Sequence, residues 1–205
     1  MFGSQPQFTP PLLSNALPLH RSPSLSLAEL KSLVGQFDDR VDGFVDQFRG
    51  HKTADRLFYG ASELGDFSLI WHLVGVARGV TSDRKADEAI RLSAVLAAES
   101  VLINGVVKSF FRRRRPEWLS DLPRPHRLRR PRSSSFPSGH ASAAFTAATL
   151  LAEDDPLWPL HYAAAALVAS SRTYVKIHHA SDVVAGAVAG IVIGRIARKA
   201  WPKPH

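Results

Sequence analysis

The chain has 205 residues, no Cys, 26 Lys and Arg against 18 Asp and Glu, and a formal net charge of +8. These values allow one domain with its own core, exclude disulfides and thiolate metal sites, and point to an anionic partner: phosphate groups, anionic lipid or nucleic acid. Mean hydropathy is −0.07, but the charge is bunched into a few blocks, and long segments between them carry almost none.

Five Pro and several Ser fall in the first 24 residues, with no basic start followed by an apolar core. A disordered tail over 1–26 without a signal peptide is expected. Residues 27–50 form an amphipathic helix: Leu27, Leu30, Leu33, Val34, Phe37, Val41, Phe44, Val45 and Phe48 recur at helical spacing, and Asp38, Asp39, Asp42 and Asp46 fill the other face. It is too polar to span a bilayer and is placed at the membrane interface. A mostly apolar helix follows over Leu64 to Val80, then a polar break at Gly79 to Asp83, then a helix from Asp87 to Phe111 whose apolar centre holds only Glu99 and Asn104 as conspicuously polar groups. Three more helices are expected over Ala141 to Ala152, Leu157 to Val175 and Val183 to Ile196. Small residues dominate them, and Gly186 with Gly190 makes a small-xxx-small pair suited to close helix contact.

The fold class is therefore all-α: a helical bundle over 62–199, embedded in a membrane by about five apolar helices near the span length, plus the amphipathic one. A soluble bundle with buried helices is the alternative. The most charged stretch, Lys108 to Arg132, holds Arg112 to Arg115, Arg124, Arg127, Arg129, Arg130 and Arg132, and its four Pro rule out a continuous helix. It is an exposed loop between two helices.

Three clusters carry the chemistry. Lys108 is followed seven residues on by Arg115-Pro116, Pro137-Ser138-Gly139-His140 opens a helix, and Ser171-Arg172 is followed by His178 and Asp182. Ser is a favoured N-cap, Gly admits close approach to the backbone, and free N–H groups at a helix start attract anions. Lys108, Arg115 and Arg172, with the donors of Ser138 and Gly139, suit the non-bridging oxygens of a phosphoryl group. His178 and Asp182, four apart, share a face if helical, and a carboxylate on one imidazole nitrogen leaves the other basic. His140 then protonates the leaving oxygen and later activates water. The cations perform the electrostatic work, so neither metal nor cofactor is required. His179 is expected to point away from His178, and Glu99 and Asn104 to serve helix packing. Arg112, Arg113 and Arg114 are assigned to lipid headgroups or topology, with one of them a candidate to assist the phosphate, and Lys176 to an occasional headgroup contact. His72, His126 and His161 have no evident partner in sequence.

Lys-x6-Arg-Pro, Pro-Ser-Gly-His and Ser-Arg-x5-His-x3-Asp resemble the signature of the type 2 phosphatidic acid phosphatases, relatives of vanadium haloperoxidases and bacterial acid phosphatases. All eleven specified positions are filled in order. The likeness covers about residues 62–197 and is greatest to actinobacterial membrane phosphatases, including the phosphatase half of proteins fused to a lipid kinase, although no kinase domain is present. It implies a helical bundle, a phosphohistidine on His178, His140 as general acid, and a multi-pass protein of the cell membrane with its site facing outward. Family members usually have six spanning helices, one more than the apolar count here. The expected reaction is hydrolysis of a lipid phosphate or diphosphate: phosphatidic acid, phosphatidylglycerophosphate, polyprenyl diphosphate or a polyprenyl-phosphosugar phosphate. No specific nucleic-acid partner is expected. The alternatives are vanadate-dependent halide oxidation in the same cage, or non-catalytic binding of anionic lipid or RNA by the Arg-rich loop.

Overall fold

The computed structural model describes residues 26–117 and 133–203. The expected N-terminal tail and the basic positions Arg124 to Arg132, with His126, lie outside the described residues. Among the described residues there are seven α-helices and no strand. They are α1 (Leu27–Asp46), α2 (Lys52–Leu64), α3 (Leu69–Gly79), α4 (Asp83–Ser100), α5 (Gly139–Leu151), α6 (Trp158–Tyr174) and α7 (Ala180–Ala200). The run of α4 continues through a π turn at Val101–Val106 and a tight 3-10 turn at Val107–Phe110.

Helix α4 ends where α5 begins, α6 returns to that end, and α7 leaves it. Residues 111–117, 133–138 and 175–179 therefore meet at one end of an antiparallel bundle, and the 152–157 turn closes the other. α5 runs through the centre, with Ala141, Ala144, Ala147 and Ala148 fully buried. Its closest neighbour is α7. A Cβ on Gly186 would lie 2.4 Å from the Ser138 carbonyl oxygen, one on Gly190 2.2 Å from that of Ser142, and one on Gly194 2.6 Å from the Thr149 Cβ. Three glycines four apart let the two backbones touch, and the Thr146 hydroxyl donates to the Gly190 carbonyl at 3.1 Å. The Gly186/Gly190 pair is thus the start of a three-residue seam.

Two sequence boundaries shift for local reasons. Ser82 caps α4, its hydroxyl accepting from the Lys85 N–H, so that helix starts at Asp83 rather than Asp87. The run expected over Leu64 to Val80 is broken by a turn in which Phe67 and Ser68 adopt left-handed φ values of 53° and 58°. Helix α2 was not expected, because Lys52, Asp55, Arg56 and Glu63 obscure its short apolar face. It packs on α6, with Phe58 stacked on Tyr174 at 4.4 Å between ring centroids. Residue 62 falls inside this helix.

Among the described residues, two helical runs are long and apolar enough to cross a membrane, Asp83–Phe110 and Ala180–Ala200. At about 1.5 Å per residue both exceed the ~30 Å hydrocarbon layer. Their apolar side chains point largely outward: Val184, Val188, Val192 and Ile196 form an exposed row along α7. The other expected spans are shorter, 11 residues in α3, 13 in α5 and 17 in α6.

Helix α1 opens with a capping box between Ser26 and Glu29. Its apolar residues Leu30, Leu33, Phe37 and Phe44 are exposed, while on its acidic face Asp38 is buried and Asp42 half-buried. The face that reads as solvent-facing in sequence is the one that docks.

At the bundle end away from the Lys108–Arg172 clusters, Arg91 pairs with Glu153 at 2.9 Å and donates to the Trp201 carbonyl, and Arg78 and His161 flank Asp155. The His161 and Arg78 contacts hold the Asp155 carboxyl well below the usual carboxylate range. His72 also has a partner, Ser93, at 3.0 Å.

Candidate active site

Lys108, Arg115, Gly139, His140, Arg172 and His178 line one cavity of about 820 Å³ at the shared end of α4, α5, α6 and α7. Residues far apart in the chain meet there because each sits at the terminus of a helix or in the turn beside one. Lys108 is in the last turn of the α4 run, His140 in the first turn of α5, Arg172 in the last turn of α6, and His178 just before α7.

His178 is 3% exposed. Its Nε2 lies 3.3 Å from Arg115 Nη1. A guanidinium only donates, so Nε2 is the acceptor and the ring proton sits on Nδ1. Nδ1 faces Asp182 Oδ2 at 3.6 Å, an ion-pair distance slightly beyond a hydrogen bond. Burial pushes the imidazole down to about 3, with the Arg115 and Arg172 cations adding to it and Asp182 opposing it. The ring is therefore neutral, and its Nε2 lone pair is directed at the Arg115 guanidinium.

His178 and Asp182 do not share a helix face. His178 lies in the turn, and Asp182 is in the first turn of α7, where its Oδ2 accepts the His179 N–H at 2.9 Å. The pairing crosses the helix start. His179 itself is the residue before the helix, its Nε2 3.3 Å from the Arg114 carbonyl oxygen. The turn preceding His178 contains Lys176 at a left-handed φ of 53°. It is tied to α1 rather than to a headgroup, through a 3.0 Å ion pair with Asp42.

Each cation has a fixed perch. Lys108 Nζ donates to Asn104 Oδ1 at 2.8 Å, and Arg172 Nη1 donates to the Ser62 hydroxyl. Arg115 donates to the Ile177 carbonyl at 2.9 Å and to the Ser133 and Ser134 carbonyls. Gly139 is required by the same arrangement, since a Cβ there would lie 2.6 Å from Asn104 Oδ1. Asn104 therefore supports the site rather than helix packing alone, and Glu99, 1% exposed, also lines the cavity.

Ser138 does not reach the cavity. It is fully buried, its hydroxyl accepts the Ala141 N–H, and its own N–H donates to the Asp182 carbonyl at 3.0 Å. It holds α5 against α7 one layer behind the cavity.

Sequence reasoning missed three residues here. His140 Nε2 lies 2.7 Å from Asp66 Oδ1, and Gly65, next to it, packs so closely that a Cβ would touch the His140 ring at 2.9 Å. Arg113 bridges Asp182 Oδ1 at 2.7 Å and Asp38 Oδ2 at 2.5 Å, instead of facing lipid headgroups. Ser62 holds Arg172. Asp66, Gly65 and Ser62 have no sequence signal at fixed spacing from the motifs, and Arg113, two residues before Arg115, shows no sign of its carboxylate partners in sequence; only the fold brings these contacts together.

Among the described residues, no group of three or more His, Cys, Asp and Glu is arranged to hold a metal ion.

The sequence profile of the PAP2 superfamily matches residues 88–204. A decaprenylphosphoryl-5-phosphoribose phosphatase of Mycobacterium tuberculosis is 27% identical over 141 residues, covering 67% of this chain and 75% of that protein. Two crystal structures share the fold. A transmembrane PAP2 type phosphatidylglycerolphosphate phosphatase from Bacillus subtilis matches with a TM-score of 0.62 at 22% identity, over 82% of this chain and 85% of that one. Aquifex aeolicus LpxE matches with a TM-score of 0.63 at 27% identity, over 78% and 93%.

Proposed function

The chain belongs to the PAP2 superfamily, and we propose that it is a membrane phosphatase that releases phosphate from a lipid phosphate or diphosphate through a phosphohistidine, without a metal ion. The observation that carries this reading is the convergence of Lys108, Arg115 and Arg172 on the cavity that also holds His140 and His178.

The phosphoryl group lies among the three cations, which neutralise its non-bridging oxygens where transition-state charge accumulates. His178 Nε2 attacks phosphorus and the P–O bond to the lipid breaks. The departing oxygen takes a proton from His140. Asp182 stabilises the imidazole ring as it becomes positive through Nδ1. Water then gives a proton to His140 and attacks the phosphohistidine, which releases inorganic phosphate and restores His178. Three fixed cations take the place that a divalent ion occupies in many phosphoryl-transfer sites.

Burial and the Arg172 cation push the His140 imidazole down to about 4, and Asp66 is placed to hold the ring and to oppose that shift, favouring the proton it must donate. Asp66→Asn is expected to lower kcat on a lipid alkyl phosphate about tenfold to a hundredfold, within the range for general acid–base catalysis. Turnover of an aryl phosphate with a good leaving group, which needs no protonation, should change little. Equal losses on both substrates would remove this role from Asp66.

A lipid substrate is favoured by the outward apolar faces of α4 and α7 beside the cavity and by the exposed Phe67 at its rim. Of the candidate lipids, the polyprenyl-phosphosugar phosphates come first, because the mycobacterial relative is named for such a substrate. The multi-pass arrangement with the cavity facing outward rests on the family resemblance, since the positive-inside rule taken alone would put the Arg-rich stretch Lys108 to Arg132 inside. The amphipathic α1 lies at the outer interface with its exposed Leu and Phe residues in lipid.

The test is phosphate release by the purified protein in excess EDTA from a panel of phosphatidic acid, phosphatidylglycerophosphate, polyprenyl diphosphate and a polyprenyl-phosphosugar phosphate, with rapid quench for phosphoenzyme. Turnover in EDTA with an acid-labile, alkali-stable phosphoprotein is expected. Activity that vanishes in EDTA and returns with a divalent ion would overturn the metal-independent mechanism.

A further inference from the structure

We propose that Asp38, on α1, is a positioning residue for phosphoryl transfer: through Arg113 and Ser181 it holds the Asp182 carboxylate in place behind His178. The inference rests on His178 being the nucleophile, as argued above, and extends the site to a helix outside the residues matched by the family profile.

Asp38 is the only buried residue of α1, 5% exposed. Its Oδ1 accepts the Ser181 N–H at 2.8 Å, and its Oδ2 accepts the Ser181 hydroxyl at 2.8 Å and Arg113 Nη2 at 2.5 Å. Arg113 Nη1 reaches Asp182 Oδ1 at 2.7 Å and the Ser181 hydroxyl at 2.7 Å. One guanidinium is thus forked between two carboxylates, one from α1 and one from the site. Asp182 uses its second oxygen on the His179 N–H and toward His178 Nδ1.

Charge accounts for the arrangement. With a neutral His178, the chain Asp38, Arg113, Asp182, His178 sums to −1. It becomes neutral when the ring acquires positive charge on attacking phosphorus. Without Asp38 the same chain begins neutral and must become cationic among three further cations. Asp38 therefore favours the charge that develops on His178, and it also fixes the rotamer of the arginine that orients Asp182. The turn that follows this helix grips the segment before the nucleophile: Arg49 donates to the Thr173 and Tyr174 carbonyls, at 3.0 and 2.9 Å. A docking anchor alone would need the Ser181 contacts but not the Arg113 fork.

Asp38→Asn keeps an acceptor for the Ser181 N–H but removes the charge facing Arg113. With a lipid phosphate and the full chain, kcat is expected to fall about tenfold to a hundredfold while KM stays within about threefold, and the rate of phosphoenzyme formation should fall in parallel. Asp38→Asn combined with Asp182→Asn should be no slower than Asp182→Asn alone, because both changes act through one carboxylate. Arg113→Lys, which leaves the Asp38–Ser181 contacts intact, should show the same kcat loss and the same non-additivity, and it decides the matter if Asp38→Asn fails to fold. Wild-type kcat per folded molecule in these variants, or losses that multiply with Asp182→Asn, would overturn the proposal. A His178→Ala protein that still turns over would instead overturn the nucleophile assignment, while an inactive His178→Ala beside a fully active Asp38→Asn removes only the role of Asp38.

Discussion

His178→Ala is expected to reduce lipid phosphate hydrolysis by about ten-thousandfold or more, with no phosphoenzyme trapped at any time after mixing. The size follows from what is lost. Nε2 of the neutral ring carries the lone pair proposed to attack phosphorus, and Arg115 lies 3.3 Å from it. Alanine leaves the cations and His140 in place, so substrate binding should survive and KM should change far less than kcat. Thermal stability should hold or rise, because a neutral imidazole buried among cations is held far from its ordinary titration range. Residual turnover near wild type, or a phosphoenzyme in the variant, would assign the nucleophile elsewhere. Asp182→Asn is the graded companion. The amide keeps the helix start but no longer stabilises a positive ring, so its loss should be smaller than that of the nucleophile itself.

Gly190→Ala carries the second large effect, on folding. A Cβ there would sit 2.2 Å from the Ser142 carbonyl oxygen and 3.0 Å from the Thr146 N. Both are backbone atoms of the central helix, so no side chain can swing away. α5 and α7 must separate, and overpacking of this kind costs about 1–3 kcal/mol or more. The displacement also reaches the site, because the same pair of helices carries Ser138 and Asp182, joined by a 3.0 Å backbone hydrogen bond. A marked drop in melting temperature in detergent and a loss of activity beyond the unfolded fraction are expected. Gly60→Ala, with nothing within 4 Å of the added methyl, is the control and should be neutral or slightly stabilising. Equal behaviour of the two variants would show that the seam is not under contact.

The predicted order of helices agrees with the structure wherever periodicity was unbroken. α1, α4, α6 and α7 show it, and the Gly186/Gly190 spacing foretold the tightest contact in the bundle. Residues whose role depends on one local motif were equally legible. Lys108, Arg115, His140, Arg172 and His178 line one cavity because each is tied by short sequence distance to a helix end, and helix ends on one side of an antiparallel bundle must gather.

What sequence could not supply is direction and long-range pairing. The acidic stripe of α1 has the pattern of a solvated face, yet Asp38 is buried, because Ser181 and Arg113, more than 70 residues away, offer it three donors. Ser138 had the composition of a phosphate contact, but its two polar groups were already taken by Ala141 and Asp182. Asp66 and Ser62 carry no motif; the end of α2 and the turn after it deliver them to Arg172 and His140 only once they pack on α6 and α5. Length and patterning by themselves determined an all-helical bundle and singled out five polar groups that line one cavity, since hydrophobic period and residue type are local properties. Only the tertiary structure decided which charges face each other, because a carboxylate's role depends on the donors that surround it after the chain has closed.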